Sequence, residues 1–234
     1  WLSDRVGRKP ILMLGLLLAT VLYFPLFKAL SYYANPQIDT ASRQSPIVVM
    51  ADPSTCTFQF APVGKARFDS PCDKVKTFLV KQGLPYTSVA AAPGTLVEVS
   101  VGEQKITGFD EAAMRAAITD AGYPAKADPS AVNQPMVVLV MVLLTLIATM
   151  TYGPLAAVMV ELFPTRIRYT SMSLPYHIGN GWFGGFLPTV SFALVVYTGD
   201  IFYGLWYPVV ITGVSLVVGV LCLKETRNVD IDKV

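Results

Sequence analysis

Five side chains in the apolar part of the sequence have the chemistry to meet a polar solute or a proton. Thr145, Thr149 and Tyr152 follow i, i+4, i+7 spacing, which puts them on one face of a helix. Gly153-Pro154, just beyond, can break that helix and free a carbonyl for ligand or water. His177 is the only histidine of the chain. An ionisable ring inside an apolar run is a candidate proton group; its plainer role is a neutral imidazole bonded between helices. Asn180 offers an amide in the same run, for solute or for packing. The plainer role of the threonines is a hydrogen bond back to their own helix.

A second chemistry is ionic. Asp4, Arg5, Arg8 and Lys9 lie in a short polar stretch where Gly7 permits a tight bend. Glu161, Arg166 and Arg168 flank Pro164 between two apolar runs. A glutamate at a helix C-terminus opposes the helix dipole and calls for a cationic partner. The two sets together predict an ionic latch, made in one conformational state and released in another. The alternative is a plain set of solvated anchors. Gly181 and Gly185 form a GxxxG pair, which lets helices approach closely in lipid. Cys56 and Cys72 are compatible with a disulfide or with two unpaired thiols. No CxxC spacing and no histidine accompany them, so a metal pair is disfavoured. No metal, no cofactor and no enzyme activity are expected, because no nucleophile–base set is visible. No basic stripe with interleaved aromatics points to nucleic acid.

Positioning these groups is the work of apolar helices. The chain has 234 residues, 53% hydrophobic and only 15% charged, against about 25% charged in an ordinary soluble domain. The apolar content falls in four blocks, residues 11–30, 135–160, 168–197 and 201–223, each about long enough to span a bilayer. Residues 31–134 have soluble composition, with nine basic and ten acidic residues. The expected division is therefore 1–30 (polar loop and first span), 31–134 (insert), 135–223 (three spans) and 224–234 (polar tail).

Within the insert, strands are expected at 46–50 and 55–61. A helix over 72–82 is capped by Ser70 and Pro71, and a hairpin of 86–91 with 95–101 turns at Pro93-Gly94. A last helix over 111–121 is capped by Asp110. That order suggests a small α+β sandwich. Outside the insert, eight basic residues cluster at Arg5, Arg8 and Lys9, at Arg166 and Arg168, and at Lys224, Arg227 and Lys233. Four spans put all eight on one side, which the positive-inside rule makes cytoplasmic. The insert is then extracytoplasmic.

These residues carry a resemblance. WLSDRVGRKP, at 1–10, looks like the cytoplasmic loop signature of the major facilitator superfamily. ELFPTRIRYTS, at 161–171, followed by GNGWFGG, is similar to the C-terminal half of its metabolite:proton symporter group, and Leu223–Thr226 looks like the superfamily's close. The resemblance implies a membrane all-α fold, four transmembrane helices of a major-facilitator-type C-terminal half, about helices 9 to 12. Its N-terminal helices would lie upstream of a sequence whose first residues read as mid-loop. It implies a proton-coupled symporter for a small polar metabolite, an organic acid or an osmolyte. It also implies a multi-pass protein of the cell membrane, in bacteria the inner membrane. Its partners would be substrate, protons and the lipid bilayer. A receptor or sensor whose insert binds an outside ligand or partner is the alternative. The ending of the insert, residues 110–125, resembles the last helix of heavy-metal-associated ferredoxin-like domains, which hints at a fold and not at a metal.

Overall fold

The structure is a computed structural model that describes residues 2–227. Trp1 and the basic tail residue Lys233 lie outside the described residues. The chain is mostly helical. Helices α1 (Leu2–Val6) and α2 (Arg8–Ala34) open it, and α3 (Pro36–Gln44) follows. A four-stranded sheet with two helices comes next, then α6 (Gln134–Leu162), α7 (Arg168–His177), α8 (Gly185–Thr198) and α9 (Trp206–Cys222). Four helical stretches are long and apolar enough to cross a membrane: Arg8–Ala34, Gln134–Leu162, Arg168–Thr198 and Tyr203–Cys222. The break expected at Gly153-Pro154 does not occur, and α6 runs through Pro154. A proline removes one ladder donor and bends a helix, which a 29-residue helix tolerates.

The chain forms two compact units. The first takes the described residues of Trp1–Phe27, Val138–Leu187 and Leu205–Val234. Its helices pack through small residues. A Cβ at Gly15 of α2 would stand 2.9 Å from Met150 and Thr151 of α6, and one at Gly219 of α9 would stand 2.5 Å from Met13 of α2.

The second unit takes Lys28–Val137 and Pro188–Gly204. Its sheet has the order β2-β1-β3-β4, from β1 (Ile47–Ala51), β2 (Thr87–Ala90), β3 (Glu98–Val101) and β4 (Gln104–Thr107). β1 pairs parallel with β2, Val48 opposite Thr87, and antiparallel with β3, Val49 opposite Val99. Helix α4 (Pro71–Lys81) starts where the Ser70 hydroxyl accepts the Asp73 N–H at 3.0 Å, and α5 (Glu111–Asp120) starts where Asp110 accepts from Ala112 and Ala113. Val75, Leu79 and Met114 close the core against Val49 and Val99.

Three expectations for the insert are corrected. Residues 55–61 form no strand: after a short turn at Pro53–Thr55, their polar groups go to α4 instead of a ladder. The Thr57 N–H and hydroxyl both donate to the Asp73 carboxylate at 2.8 Å, and the Gln59 amide donates to the Asp73 carbonyl at 3.0 Å. The hairpin about Pro93-Gly94 is likewise absent, because β2 and β3 flank β1 on opposite sides. β1 is apolar on both faces, the pattern of a central strand with two neighbours. The true hairpin is β3–β4, turning at Gly102 with φ of +57°. Finally, the order β-α-β-β-β-α departs from the β-α-β-β-α-β of ferredoxin-like domains. The sequence reading missed α3 and β4, both short and polar.

Candidate functional site

The first unit holds a cleft of about 440 Å³ between α6 and α7, and it is mostly apolar. Tyr152, Tyr169, Tyr176 and His177 give it an aromatic lining with polar tips, with Ser173 beside the histidine. α6 presents Tyr152 because the ring lies three residues on from Thr149 on an exposed face, where it is two-thirds accessible. α7 presents Tyr169, Ser173, Tyr176 and His177 at helical spacing. His177 Nδ1 lies 2.7 Å from the carbonyl of Ser173 and 3.2 Å from its hydroxyl. That carbonyl can only accept, so it assigns the ring proton to Nδ1 and leaves the Nε2 lone pair as an acceptor. The imidazole is thus oriented by its own helix, with one nitrogen able to take a proton.

Of the other residues named for this pathway, Thr145 and Thr149 are exposed and bond back to their own helix. Their hydroxyls donate to Met141 and Thr145 carbonyls at 2.8 and 2.7 Å. Asn180 is exposed and lies beyond the lining, in a seven-residue π-helical stretch, Ile178–Gly184. Such a stretch widens a helix and often accompanies function. Its glycines allow the extra residue, a feature the sequence reading missed. Gly181 meets no described atom within 4 Å of an added Cβ, and Gly185 meets only the Asn180 carbonyl at 4.0 Å. The GxxxG face is therefore open among the described residues.

The ionic residues are brought together in part. Arg8 stands at the start of α2 and bonds both Asp4 and Glu161, the latter at 3.1 Å from Nη2. Both the Arg8 and Glu161 side chains are largely shielded. The hydrogen bond from Arg8 holds the Asp4 carboxyl below the usual carboxylate range. Glu161 also accepts from the Thr226 hydroxyl. The cationic partner expected for Glu161 is thus Arg8, and Arg166 is exposed, with no ion-pair partner among the described residues. Arg168 donates from Nε to the Phe163 carbonyl at 3.0 Å, which closes the loop before α7, while its Nη2 is buried with no partner among the described residues. Arg5 keeps contacts of its own and is not a member of the Arg8–Glu161 pair.

A participant that the sequence reading did not single out is Glu225. Its carboxylate accepts the backbone N–H groups of Arg8 at 2.8 Å and Lys9 at 3.0 Å, so it caps the N-terminus of α2 from 217 residues away. In return the Lys9 ammonium donates to the Val220 carbonyl in the last turn of α9 at 2.9 Å. Burial works to raise the Glu225 pKa, but backbone donors from Arg8, Arg227, Lys9 and Thr226 prevail and hold it below its ordinary value. Gly7 makes the approach possible. Its φ is +123°, and a Cβ there would lie 2.6 Å from the Glu225 carboxylate.

In the second unit Cys56 and Cys72 are joined as a disulfide, their Cα atoms 5.3 Å apart. No group of three or more His, Cys, Asp or Glu able to hold a metal occurs among the described residues.

Part of the chain is similar to two transport proteins. A putative metabolite transport protein of Haemophilus influenzae is 32% identical over 85 residues, 36% of this chain and 19% of that protein. A citrate-proton symporter of Klebsiella pneumoniae is 37% identical over 65 residues, 28% of this chain and 15% of that protein. The matched segments thus span less than a fifth of either relative's length. No protein family matches the chain, and no solved structure matches it. The partial likeness is to transport proteins, and the four helices long and apolar enough to cross a membrane suit a multi-pass membrane protein.

Proposed function

We propose that this chain is the C-terminal part of a major-facilitator-type secondary carrier, which moves a small polar metabolite or organic acid with protons by alternating access. The observation that carries the reading is the α6–α7 cleft, where Tyr152 and His177 meet in one aromatic-lined space. An oriented imidazole with an open nitrogen is chemistry suited to a moving proton. The Arg8–Asp4–Glu161 cluster acts as the cytoplasmic latch. Further helices of the same carrier would complete the pathway and pack on the open Gly181–Gly185 face. By this reading the protein lies in the bacterial inner membrane, with the insert outside, where a disulfide is tolerated.

The test is uptake into proteoliposomes by the full-length carrier that includes this chain, with a panel of labelled organic acids and osmolytes under an imposed proton gradient. Accumulation that collapses when the gradient is dissipated is the expected result. Accumulation of a substrate that ignores the gradient sinks the proton coupling, and the absence of any uptake sinks the carrier reading. The alternative is a receptor that senses through its insert, and the feature that bears on it is a cleft of the second unit lined by Lys74, Lys81 and Arg115.

A further inference from the structure

The second unit has a cleft of about 560 Å³ that the transport reading leaves unused. Its size is that of sites for small organic ligands. Its walls are aromatic: Phe78 and Phe109 stand edge to face with ring centres 6.3 Å apart, and Phe68 and Phe192 add two more rings. Its charge is positive. Lys74 and Lys81 fall at i and i+7 on α4, so both ammonium stems leave the helix on one side, with Phe78 between them. Neither has an ion-pair partner among the described residues. Arg115 comes from α5 and lies 5.2 Å from the centre of the Phe78 ring. The one carboxylate of the lining, Glu111, is already bonded to Arg115 at 2.8 Å, so two lysines remain uncompensated.

Two unpaired cations beside four phenyl rings select for one chemistry. A cation is repelled, and a neutral sugar or amino alcohol finds few uncharged polar groups: the Thr77 hydroxyl donates to the Gln59 amide oxygen and the Gln59 amide nitrogen donates to the Asp73 carbonyl, which leaves the Gln82 amide. An anion carried on a flat apolar body satisfies both features, the charge toward Lys74 and Lys81 and the body against the rings. We propose that this cleft binds a small organic carboxylate with an aromatic or similarly flat apolar part, and that the insert, together with Phe192 of α8, is thus a ligand-binding module. The inference gives the receptor alternative a ligand class. It does not depend on transport, because binding is read on the insert and uptake is not.

The probe is benzoate, with benzamide as a neutral counterpart of nearly the same shape. Binding is measured by saturation-transfer NMR on the full chain in nanodiscs of zwitterionic lipid. Benzoate is expected to bind saturably, with benzamide about tenfold weaker and with affinity falling as salt rises. Lys74→Glu combined with Lys81→Glu is expected to weaken benzoate by about tenfold or more, while Lys65→Glu, outside the lining, leaves it unchanged. Both cleft lysines are exposed, so the double variant should keep its fold, checked by an unchanged thermal transition. Phe109→Ala should weaken benzoate and benzamide alike. Equal binding of benzoate and benzamide, an unaltered affinity in the double lysine variant, or no saturable signal overturns the proposal. A cleft that ignores benzoate but holds anionic lipid through the same lysines overturns it too. Loss of uptake with benzoate binding intact would defeat the carrier reading alone.

Discussion

At the scale of single residues, Glu225 and His177 carry the sharpest chemistry. Four backbone N–H groups converge on the Glu225 carboxylate, two of them the first donors of α2. Glu225→Gln keeps an acceptor but loses the charge, and should lower stability by about 1 kcal/mol, read as a lower thermal transition. The sign with pH follows from the depressed pKa. The contribution is complete above the ordinary glutamate value of 4.5 and is lost as pH falls through the lower folded value. The variant's acid-side loss should therefore be shallower than the wild type's. Gly7→Ala should cost more than Glu225→Gln, because it adds backbone strain to a displaced carboxylate. For His177, replacement by Gln preserves size and polarity but cannot take a proton. In the carrier reading, uptake by the full-length protein should then lose its coupling to the proton gradient; a variant still driven by the gradient would remove His177 from the proton path. Sequence alone reached His177, since a lone histidine in an apolar run is conspicuous. It could not reach Glu225, whose role is set by donors far away in the chain.

At the scale of elements, what was legible was local. Ser70-Pro71 and Asp110 marked the starts of α4 and α5 because a cap and its donors lie within three residues of each other. The segment 55–61 misled because its alternation of side chains was strand-like while its partner, Asp73, sits on a helix. β2 and β3 were read as each other's partners because the turn residues Pro93-Gly94 lie between them. In the structure that turn is held instead by the Asp52 carboxylate, which accepts the Gly94 N–H at 2.8 Å. The Cys56–Cys72 disulfide pins the same irregular segment to α4 across a 16-residue separation. By loop-closure entropy its loss should cost roughly 3 kcal/mol. Replacing both cysteines by serine should lower the unfolding transition of the insert and leave that of the apolar helices nearly unmoved, as followed by hydrogen exchange. A single transition falling throughout would mean that the insert does not unfold on its own.

At the scale of the whole molecule, the legible part was the pattern of four apolar blocks, since a bilayer-spanning length writes itself in composition. The aromatic cleft was half legible: Tyr152 and His177 were chosen singly, and their meeting is a product of helix packing. In the latch reading, Arg8 holds Asp4 and Glu161 only in one state of the transport cycle. Reversing Asp4 to Lys should then abolish uptake while the protein still reaches the membrane, and Arg8→Ala should do the same. Wild-type uptake in both would reduce the cluster to anchors.

Tyr86 is spliced to the end of α8: its N–H donates to the Gly199 carbonyl at 3.0 Å and its hydroxyl to the Val196 carbonyl, while Gly199 leaves no room for a side chain, since a Cβ there would run into the Tyr86 carbonyl oxygen. The sheet is thus riveted to the end of α8 within the second unit. A label or antibody fragment placed on α5 would therefore report on the end of α8 as well as on the sheet.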